Sequence, residues 1–292
     1  MFNKNLMRKI TTYIVALFSV LVIFSSCKKE YETIEELDNK NIAAYKQSSG
    51  LTFVDDPSGY SYSITEAGSG DVLKNTDSVY YSYKFKSTTG TVYNETSGLM
   101  IPGTLLGYTD QFTVGTSSYV FTPIREVLSK LKRGGKAVLA VPSRMAFGKN
   151  GLTTFGIASN EIIIVELGIY SYAKRHEVDA FEIDKFVDDN NLTFTTDPSG
   201  VLYKISSAGT GTDAITMRTT FTCNYTGRYL DGTVFDEGTG VSFRLGEVIK
   251  GWEVIAGKIT EGGKIRVIIP SHLAYGARPL DFDIEITDVT VD

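Results

Sequence analysis

Histidine and cysteine are scarce in this chain, with two of each among 292 residues. The two histidines are far apart, so neither has a partner at the spacing of a zinc site. Ser271 and His272 are adjacent just past a predicted strand end, where neighbouring side chains diverge, which argues against a serine–histidine catalytic pair. The segment 209–211 lacks the third glycine of a dinucleotide-binding loop and is typical of a turn. We therefore expect no metal and no cofactor, although weak calcium contacts at the aspartate pairs 55–56 and 188–189 stay open.

Positive charge is also in short supply, since the formal net charge is −5. An acidic chain has no electrostatic footprint for nucleic acid, and we expect none to bind. A basic group does precede the apolar run 13–24, which is too short for an ordinary membrane-spanning helix and indicates a signal peptide over residues 1–26. Cys27 follows two serines, as in a bacterial lipoprotein cleavage site. This predicts a lipidated Cys27 and a membrane-anchored protein of the bacterial cell envelope, periplasmic or surface-exposed; the alternative is an ordinary cleaved signal.

The other cysteine, Cys223, lies within a strand pattern. With Cys27 lipidated during processing, Cys223 has no partner for a disulfide within the chain. We therefore expect Cys223 to be buried in a core, and the fold to be stabilised by burial of apolar side chains.

Two long segments of the sequence match each other. The letters LTFVDDPSGYSYSITEAGSG at 51–70 correspond to LTFTTDPSGVLYKISSAGTG at 192–211, and Asp-Pro-Ser-Gly is turn chemistry in both. The match continues further on, where Tyr83 corresponds to Tyr225. The predicted organisation is a tether (27–50), a first domain (51–173), a linking helix (174–191) and a second domain (192–292).

The second repeat contains one short helical pattern followed by a strand. Apolar residues at 252, 255, 256 and 259 would form one stripe of a helix, and alternating residues over 264–269 read as a half-buried strand that ends at Pro270. The first repeat has the same helical stripe at 124, 127, 128 and 131. Strands with turn signals and one helix near the end of each repeat predict an α+β fold with an antiparallel sheet around that helix.

Four segments of the second repeat resemble the FKBP family of peptidyl-prolyl cis-trans isomerases. They are FTCNYTGRYLDGTVFD (221–236), VIKGW (248–252), IP-x-x-x-AYG (269–276) and LDFDIEI (280–286), in the family's order. The resemblance implies two tandem FKBP-like domains, each an antiparallel β half-barrel wrapped around a short helix. It also implies a prolyl isomerase or folding factor that acts on proline-containing unfolded or exported polypeptides.

The resemblance further implies a site in the second domain. Trp252 would form the floor under a prolyl ring, Tyr275 would donate a hydrogen bond to the substrate carbonyl, and Asp236 would make polar contacts at the wall. The implied catalytic residues are Tyr225, Asp236 and Tyr275; the implied substrate-binding residues are Phe235, Val241, Val248, Ile249, Trp252 and Phe282. Val241 stands where many members carry another aromatic residue. Such residues also fit a plain core, and only the order of the motifs favours a pocket.

Both repeats depart from the family pattern. In the second repeat, residues 276–279 run almost directly into the closing strand, so one rim of the pocket is reduced. In the first, a long insertion lies beside the expected pocket, roughly Glu95 to Ser118, and the site residues differ: Ile124 stands for Trp252, Phe147 for Tyr275, Asn94 for Asp236 and Ile163 for Phe282. We expect the first domain to be inactive. A non-catalytic lipoprotein that binds peptides or a partner is the alternative, and ligand capture through the insertion is a third possibility.

Overall fold

The computed structural model describes residues 32–114 and 116–290, so the predicted signal peptide and Cys27 lie outside the described residues. The described residues from Asp38 onward form one compact unit. Within the described part of the chain, no helix has both the length and the apolar character needed to cross a membrane.

The helices within the described residues are α1 (Ile34–Ser49), α2 (Thr122–Leu128), α3 (Arg175–Asp189) and α4 (Lys250–Ala256). The strands of the N-terminal lobe are β1 (Val54–Asp55), β2 (Ser61–Glu66), β3 (Ser78–Lys86), β4 (Val92–Glu95), β5 (Gly103–Leu105), β6 (Gln111–Val114), β7 (Ser117–Val120), β8 (Lys136–Val141) and β9 (Ile163–Ile169). Those of the C-terminal lobe are β10 (Thr195–Thr196), β11 (Leu202–Ser207), β12 (Thr220–Arg228), β13 (Val234–Arg244), β14 (Lys264–Ile269) and β15 (Leu280–Thr290).

The two lobes have the same sheet topology. The strand order is β1-β2-β8-β9-β3-β4 in the N-terminal lobe and β10-β11-β14-β15-β12-β13 in the C-terminal lobe, and every neighbouring pair is antiparallel. Strand by strand, the two orders correspond. This confirms the predicted α+β fold class with two antiparallel sheets. The N-terminal lobe adds β5 and the hairpin β6–β7, which lie in and just beyond the predicted insertion.

Each lobe has its own core between the short helix and one face of the sheet. In β14, Ile265, Val267 and Ile269 are at most 2% exposed, as the alternating pattern predicts. The helix itself is shorter than predicted, because α4 ends at Ala256 and Gly257 follows. Ile259 is nevertheless buried, from the turn that leads to β14. An apolar spacing of i, i+3, i+4, i+7 therefore identified core residues correctly but overestimated the helix by about one turn.

The longer helices α1 and α3 pack on the lobes that follow them. Ser143 donates to Asp38 Oδ2 from its backbone N–H (2.8 Å) and its hydroxyl (2.7 Å), in the N-terminal lobe. At the corresponding place in the C-terminal lobe, the Ser271 N–H donates to Asp179 Oδ2 at 2.8 Å. Both helices therefore pack on a lobe. The described part of the predicted tether is thus largely a helix, with Asp38 and Ile42 buried.

Candidate functional site

A cavity of about 290 Å³ opens on the C-terminal lobe beside α4. Its floor is Trp252, the only tryptophan in the chain, which is 5% exposed. The lining residues are Tyr225, Asp236, Phe243, Glu247, Val248, Ile249, Trp252, Tyr275 and Phe282. Most of this lining is apolar or aromatic, so the cavity offers an environment of low polarity to any group that enters it.

The close approach of α4 to the sheet puts Trp252 in place. A Cβ atom on Gly251 would lie 2.3 Å from Cγ2 of Ile269 on β14, so only glycine fits between helix and strand at this position. Val248 and Ile249 precede the helix and stand at the cavity wall. Packing therefore explains the glycine of the Lys-Gly-Trp segment, because it lets the helix lie on the sheet with the indole facing the cavity.

Three aromatic rings surround the indole of Trp252. The ring centroids of Tyr225, Phe243 and Phe282 lie 5.6, 5.7 and 5.4 Å from it, and each ring is nearly perpendicular to the indole. Edge-to-face pairs at such distances contribute about 0.5–1.5 kcal/mol each beyond the buried area. These contacts therefore fix the orientation of the indole at the cavity floor.

One hydrogen bond makes the wall polar. The Tyr225 hydroxyl donates to Asp236 Oδ2 at 2.9 Å. Burial, and then this contact with Asp236, raise the pKa of Tyr225 to about 12. At neutral pH the phenol is therefore protonated, and its proton is engaged by the carboxylate.

Tyr275 stands at the rim of the cavity. It follows the short 3-10 turn Ser271–Leu273 and is 69% exposed. No hydrogen-bond partner for its hydroxyl is found among residues 32–114 and 116–290. The hydroxyl is thus available to a ligand in the cavity.

The structure brings together seven of the nine residues that the resemblance implied. Phe235 and Val241 do not line the cavity. Phe235 instead backs Phe282 from outside, with ring centroids 5.6 Å apart. A register shift between Cys223 and Tyr225 falls opposite Val241, and Phe243, two residues further along β13, supplies the aromatic wall.

Two lining residues, Phe243 and Glu247, were missed. The family pattern prompted a search for an aromatic residue at 241. The alternation of side chains along a strand places residues 241 and 243 on the same face, so this signal could have identified Phe243. Glu247 directly precedes the motif Val248–Trp252, and no pattern in the sequence indicates that it lines the cavity.

Residues 211–287 match the family model described as FKBP-type peptidyl-prolyl cis-trans isomerase. A crystal structure of FkpA from Escherichia coli is 31% identical, over 39% of this chain and 67% of that chain, with a TM-score of 0.32. The C-terminal lobe therefore matches the FKBP-type peptidyl-prolyl cis-trans isomerase family over residues 211–287. The matched range includes all four segments on which the sequence resemblance was based.

Curated FKBP relatives match the same region. A probable FKBP-type peptidyl-prolyl cis-trans isomerase of Haemophilus influenzae is 40% identical over 108 residues, 32% of this chain and 44% of that protein. The outer membrane protein MIP of Legionella longbeachae is 41% identical over 85 residues, 28% of this chain and 36% of that protein. The chain therefore spans less than half the length of these two relatives.

The corresponding place in the N-terminal lobe is filled by aromatic side chains. Phe147, at the position of Tyr275, has Phe85, Phe112, Tyr119 and Phe121 around it at centroid distances of 5.8–6.2 Å. Phe112 and Tyr119 come from the hairpin β6–β7, and Phe85 lies where the C-terminal lobe has Gly227. The extra hairpin and this one exchange of glycine for phenylalanine replace the cavity with packed core.

One correspondence between the lobes was wrong. Ile163 was expected at the position of Phe282. In the sheets, however, Phe282 pairs with Gly227 and Val267, whereas the equivalent partners in the N-terminal lobe, Phe85 and Leu139, pair with Val165. Val165 is the true counterpart, because the longer loop before β9 shifts the alignment by two residues.

A larger groove of about 800 Å³ lies on the other face of the C-terminal sheet. Most of its charged side chains pair with neighbours, as Lys264 does with Glu285 (2.9 Å) and Arg266 with Asp281 (2.8 Å). It lacks a dry aromatic interior. Among the described residues, no group of three or more histidine, cysteine, aspartate or glutamate side chains is arranged to hold a metal ion.

Proposed function

We propose that the C-terminal lobe catalyses cis–trans isomerisation of Xaa-Pro peptide bonds in other polypeptides. Rotation about a peptide bond has a barrier of roughly 18–20 kcal/mol, because it breaks amide resonance. The twisted amide is less dipolar than the planar one. Removing it from water therefore costs the planar ground state more than the transition state, and the barrier falls. The observation that carries the proposal is the aromatic cavity over Trp252.

The cavity has room for this chemistry. Its volume of about 290 Å³ is roughly ten times the share of one water molecule in the liquid. In our proposal the prolyl ring rests on Trp252, between Val248, Ile249 and Phe282. A barrier lowered by about 4 kcal/mol would accelerate the rotation roughly a thousandfold. Catalysis of this kind requires no covalent intermediate.

Polar groups at the wall and rim would orient the substrate. The exposed Tyr275 hydroxyl is placed to donate a hydrogen bond to a substrate carbonyl, which holds one side of the imide while the other turns. Asp236, already fixed by Tyr225, would accept hydrogen bonds from the substrate backbone. Phe243 and Glu247 join the predicted set as wall residues.

Isomerisation belongs, in this proposal, to the C-terminal lobe alone. The N-terminal lobe has Ile124, Asn94 and Phe147 where the C-terminal lobe has Trp252, Asp236 and Tyr275, and its cavity is filled. It therefore has no room for a prolyl ring.

We also propose that the protein is a lipoprotein of the cell envelope, anchored at Cys27, with exported polypeptides as substrates. The leader composition supports this, and one relative is named an outer membrane protein. Metabolic labelling with a fatty acid tests the anchor: wild type should be labelled and Cys27→Ser should not. Label in both proteins, or in neither, would contradict it.

A non-catalytic peptide-binding protein is the second candidate. The observation in its favour is the position of Tyr275, which is 69% exposed on a short loop and leaves the cavity open on that side. Such a protein would bind proline-containing peptides without accelerating their rotation.

An isomerisation assay on a proline-containing tetrapeptide separates the two candidates. Wild type should accelerate the exchange, and Asp236→Asn should lower kcat/KM about tenfold, which corresponds to ~1.4 kcal/mol of transition-state stabilisation. Asn94→Ser, at the matched position of the N-terminal lobe, is the control and should leave the rate unchanged. Peptide binding without acceleration by wild type would favour the second candidate.

A further inference from the structure

The loop that carries Tyr275 is held at its start by a residue of the linking helix. The Ser271 N–H donates to Asp179 Oδ2 at 2.8 Å, and both residues are buried. The Ser271 carbonyl in turn accepts from the N–H groups of Ala274 (3.0 Å) and Gly276 (2.8 Å). Asp179 therefore anchors Ser271, and the Ser271 carbonyl in turn holds the residues immediately before and after Tyr275.

The end of the same loop contacts the N-terminal lobe. Arg278 Nη1 lies 3.1 Å from the sulfur of Met100. The guanidinium group also lies over the ring of Tyr229, 5.7 Å from its centroid. Tyr229 packs on Phe235 at 5.1 Å, and Phe235 packs on the cavity residue Phe282. A continuous series of contacts thus joins Met100 to the cavity wall.

Met100 belongs to the segment 97–101 of the predicted insertion, and this segment is itself fixed. Leu99 packs in an apolar cluster with residues of α3 and of the C-terminal lobe, including Phe186 and Leu230. A Cβ on Gly98 would lie 2.9 Å from Lys185 Cε, so the backbone passes close to the helix. The Ile101 N–H donates to Glu182 Oε1 at 2.6 Å, in a buried contact.

A charged cluster on α3 connects the two ends of this arrangement. Arg175 pairs with Asp179 at 2.6 Å and also with Glu182. Asp179 holds the Tyr275 loop, and Glu182 holds Ile101. Since the two buried carboxylates share one guanidinium group, displacing Arg175 would leave both without their compensating charge.

We propose that segment 97–101 of the N-terminal lobe and the cluster Arg175–Asp179–Glu182 position the Tyr275 loop, so that the N-terminal lobe sets the affinity of the C-terminal cavity for its peptide. Met100 and Arg278 replace the support that a longer loop between β14 and β15 would give. Asp179, Met100 and Arg278 are positioning residues, because none of them lines the cavity. The proposal rests on the proposed function and gives the inactive lobe a role in it.

The test compares variants of the whole protein. Asp179→Asn, Arg278→Ala and Met100→Ala should each raise KM at least about threefold while kcat stays within about twofold, the pattern of lost substrate positioning that does not alter the chemical step. Asp38→Asn is the matched control, because Asp38 makes the same helix-to-loop contact in the N-terminal lobe. Its KM should equal that of wild type. Met100→Leu keeps the packing volume and should retain a near-normal KM, since sulfur is only a weak acceptor.

Two further readouts do not depend on turnover. Because Trp252 is the only tryptophan and forms the cavity floor, its fluorescence reports peptide binding directly, and the Kd should rise with KM in the same variants. Hydrogen exchange at Ala274 and Gly276 needs no peptide at all and should become about fivefold faster or more in Asp179→Asn and Arg278→Ala, because the loop opens more often.

These readouts separate the two proposals. Absence of isomerase activity in wild type would refute the proposed function, while exchange at Ala274 and Gly276 would still decide whether the loop is clamped. Unchanged exchange and unchanged Kd in Arg278→Ala and Met100→Ala would overturn the positioning role. An equal rise in KM for Asp38→Asn and Asp179→Asn would also overturn it, since general destabilisation would then explain both.

Discussion

Replacing Trp252 by isoleucine gives the C-terminal cavity the floor residue of the N-terminal lobe, where Ile124 occupies the equivalent position. The substitution removes the indole from between Tyr225, Phe243 and Phe282, whose rings lie 5.4–5.7 Å away. Large-to-small changes of buried aromatic residues to alanine cost about 3–5 kcal/mol. Isoleucine keeps part of the apolar volume, so we expect a loss of about 2–3 kcal/mol in the free energy of unfolding.

The effect on catalysis should be separable from this loss of stability. A deeper, less shaped floor would no longer hold the prolyl ring, and kcat/KM should fall at least about tenfold, or ~1.4 kcal/mol in activation free energy. The isomerisation assay measures kcat and KM, at a temperature where urea unfolding shows the variant to be folded.

Leu139→Ala provides the control for Trp252→Ile. Leu139 is fully buried in the N-terminal lobe, so its truncation should cost about 2–5 kcal/mol and leave kcat/KM unchanged. A folded Trp252→Ile protein with activity within twofold of wild type would refute the role of the indole. Equal losses of activity in both variants would refute it as well.

Three further predictions concern other parts of the molecule. Burial raises the pKa of Glu182 from 4.5 to about 7, so the folded state binds this proton more tightly than the unfolded state, and the free energy of unfolding falls by ~3 kcal/mol as pH rises from about 4.5 to 7. Urea unfolding of Glu182→Gln should lack this fall, and parallel curves of unfolding free energy against pH for the variant and wild type would contradict the prediction. Because Phe112 is only partly buried, Phe112→Ala should cost about 2–3 kcal/mol by opening a void at Phe147. It should add no isomerase activity, and a measurable gain would contradict the assignment of activity to one lobe. Asp236 and Glu247 give the cavity mouth negative charge, so kcat/KM for Lys-Pro peptides should exceed that for Glu-Pro peptides about two- to fivefold at low salt. Glu247→Gln should reduce this ratio of the two kcat/KM values, and a ratio of one in wild type would contradict the prediction.

Much of the fold could be read from the sequence because the repeat and the alternation are local signals. The strand over Lys264–Ile269 ends before Pro270 as predicted, since proline cannot donate to the sheet. The helix end was less predictable. Ile259 fits the helical stripe, but Gly257 and the turn after it bring Ile259 into the core without another helical turn.

The site was harder to predict where pairing, rather than spacing, decides it. Phe243, and not Val241, lines the wall beside the register shift at Tyr225. The alternation along β13 puts both residues on one face, but it does not say which of the two reaches the cavity. The longer loop before β9 concealed that Val165, not Ile163, corresponds to Phe282. The shared Asp38–Ser143 and Asp179–Ser271 contacts did have a signal, because α1 and α3 align at the same offset as the repeats that follow them.

The most direct measurement is exchange NMR on a proline-containing peptide with a small molar fraction of this protein. We predict exchange cross-peaks between the cis and trans forms of the peptide, with peptide-induced shifts at Tyr225, Trp252 and Tyr275 and none around Phe147. Binding at those C-terminal residues without cis–trans exchange would contradict the account, and so would shifts centred on Phe147.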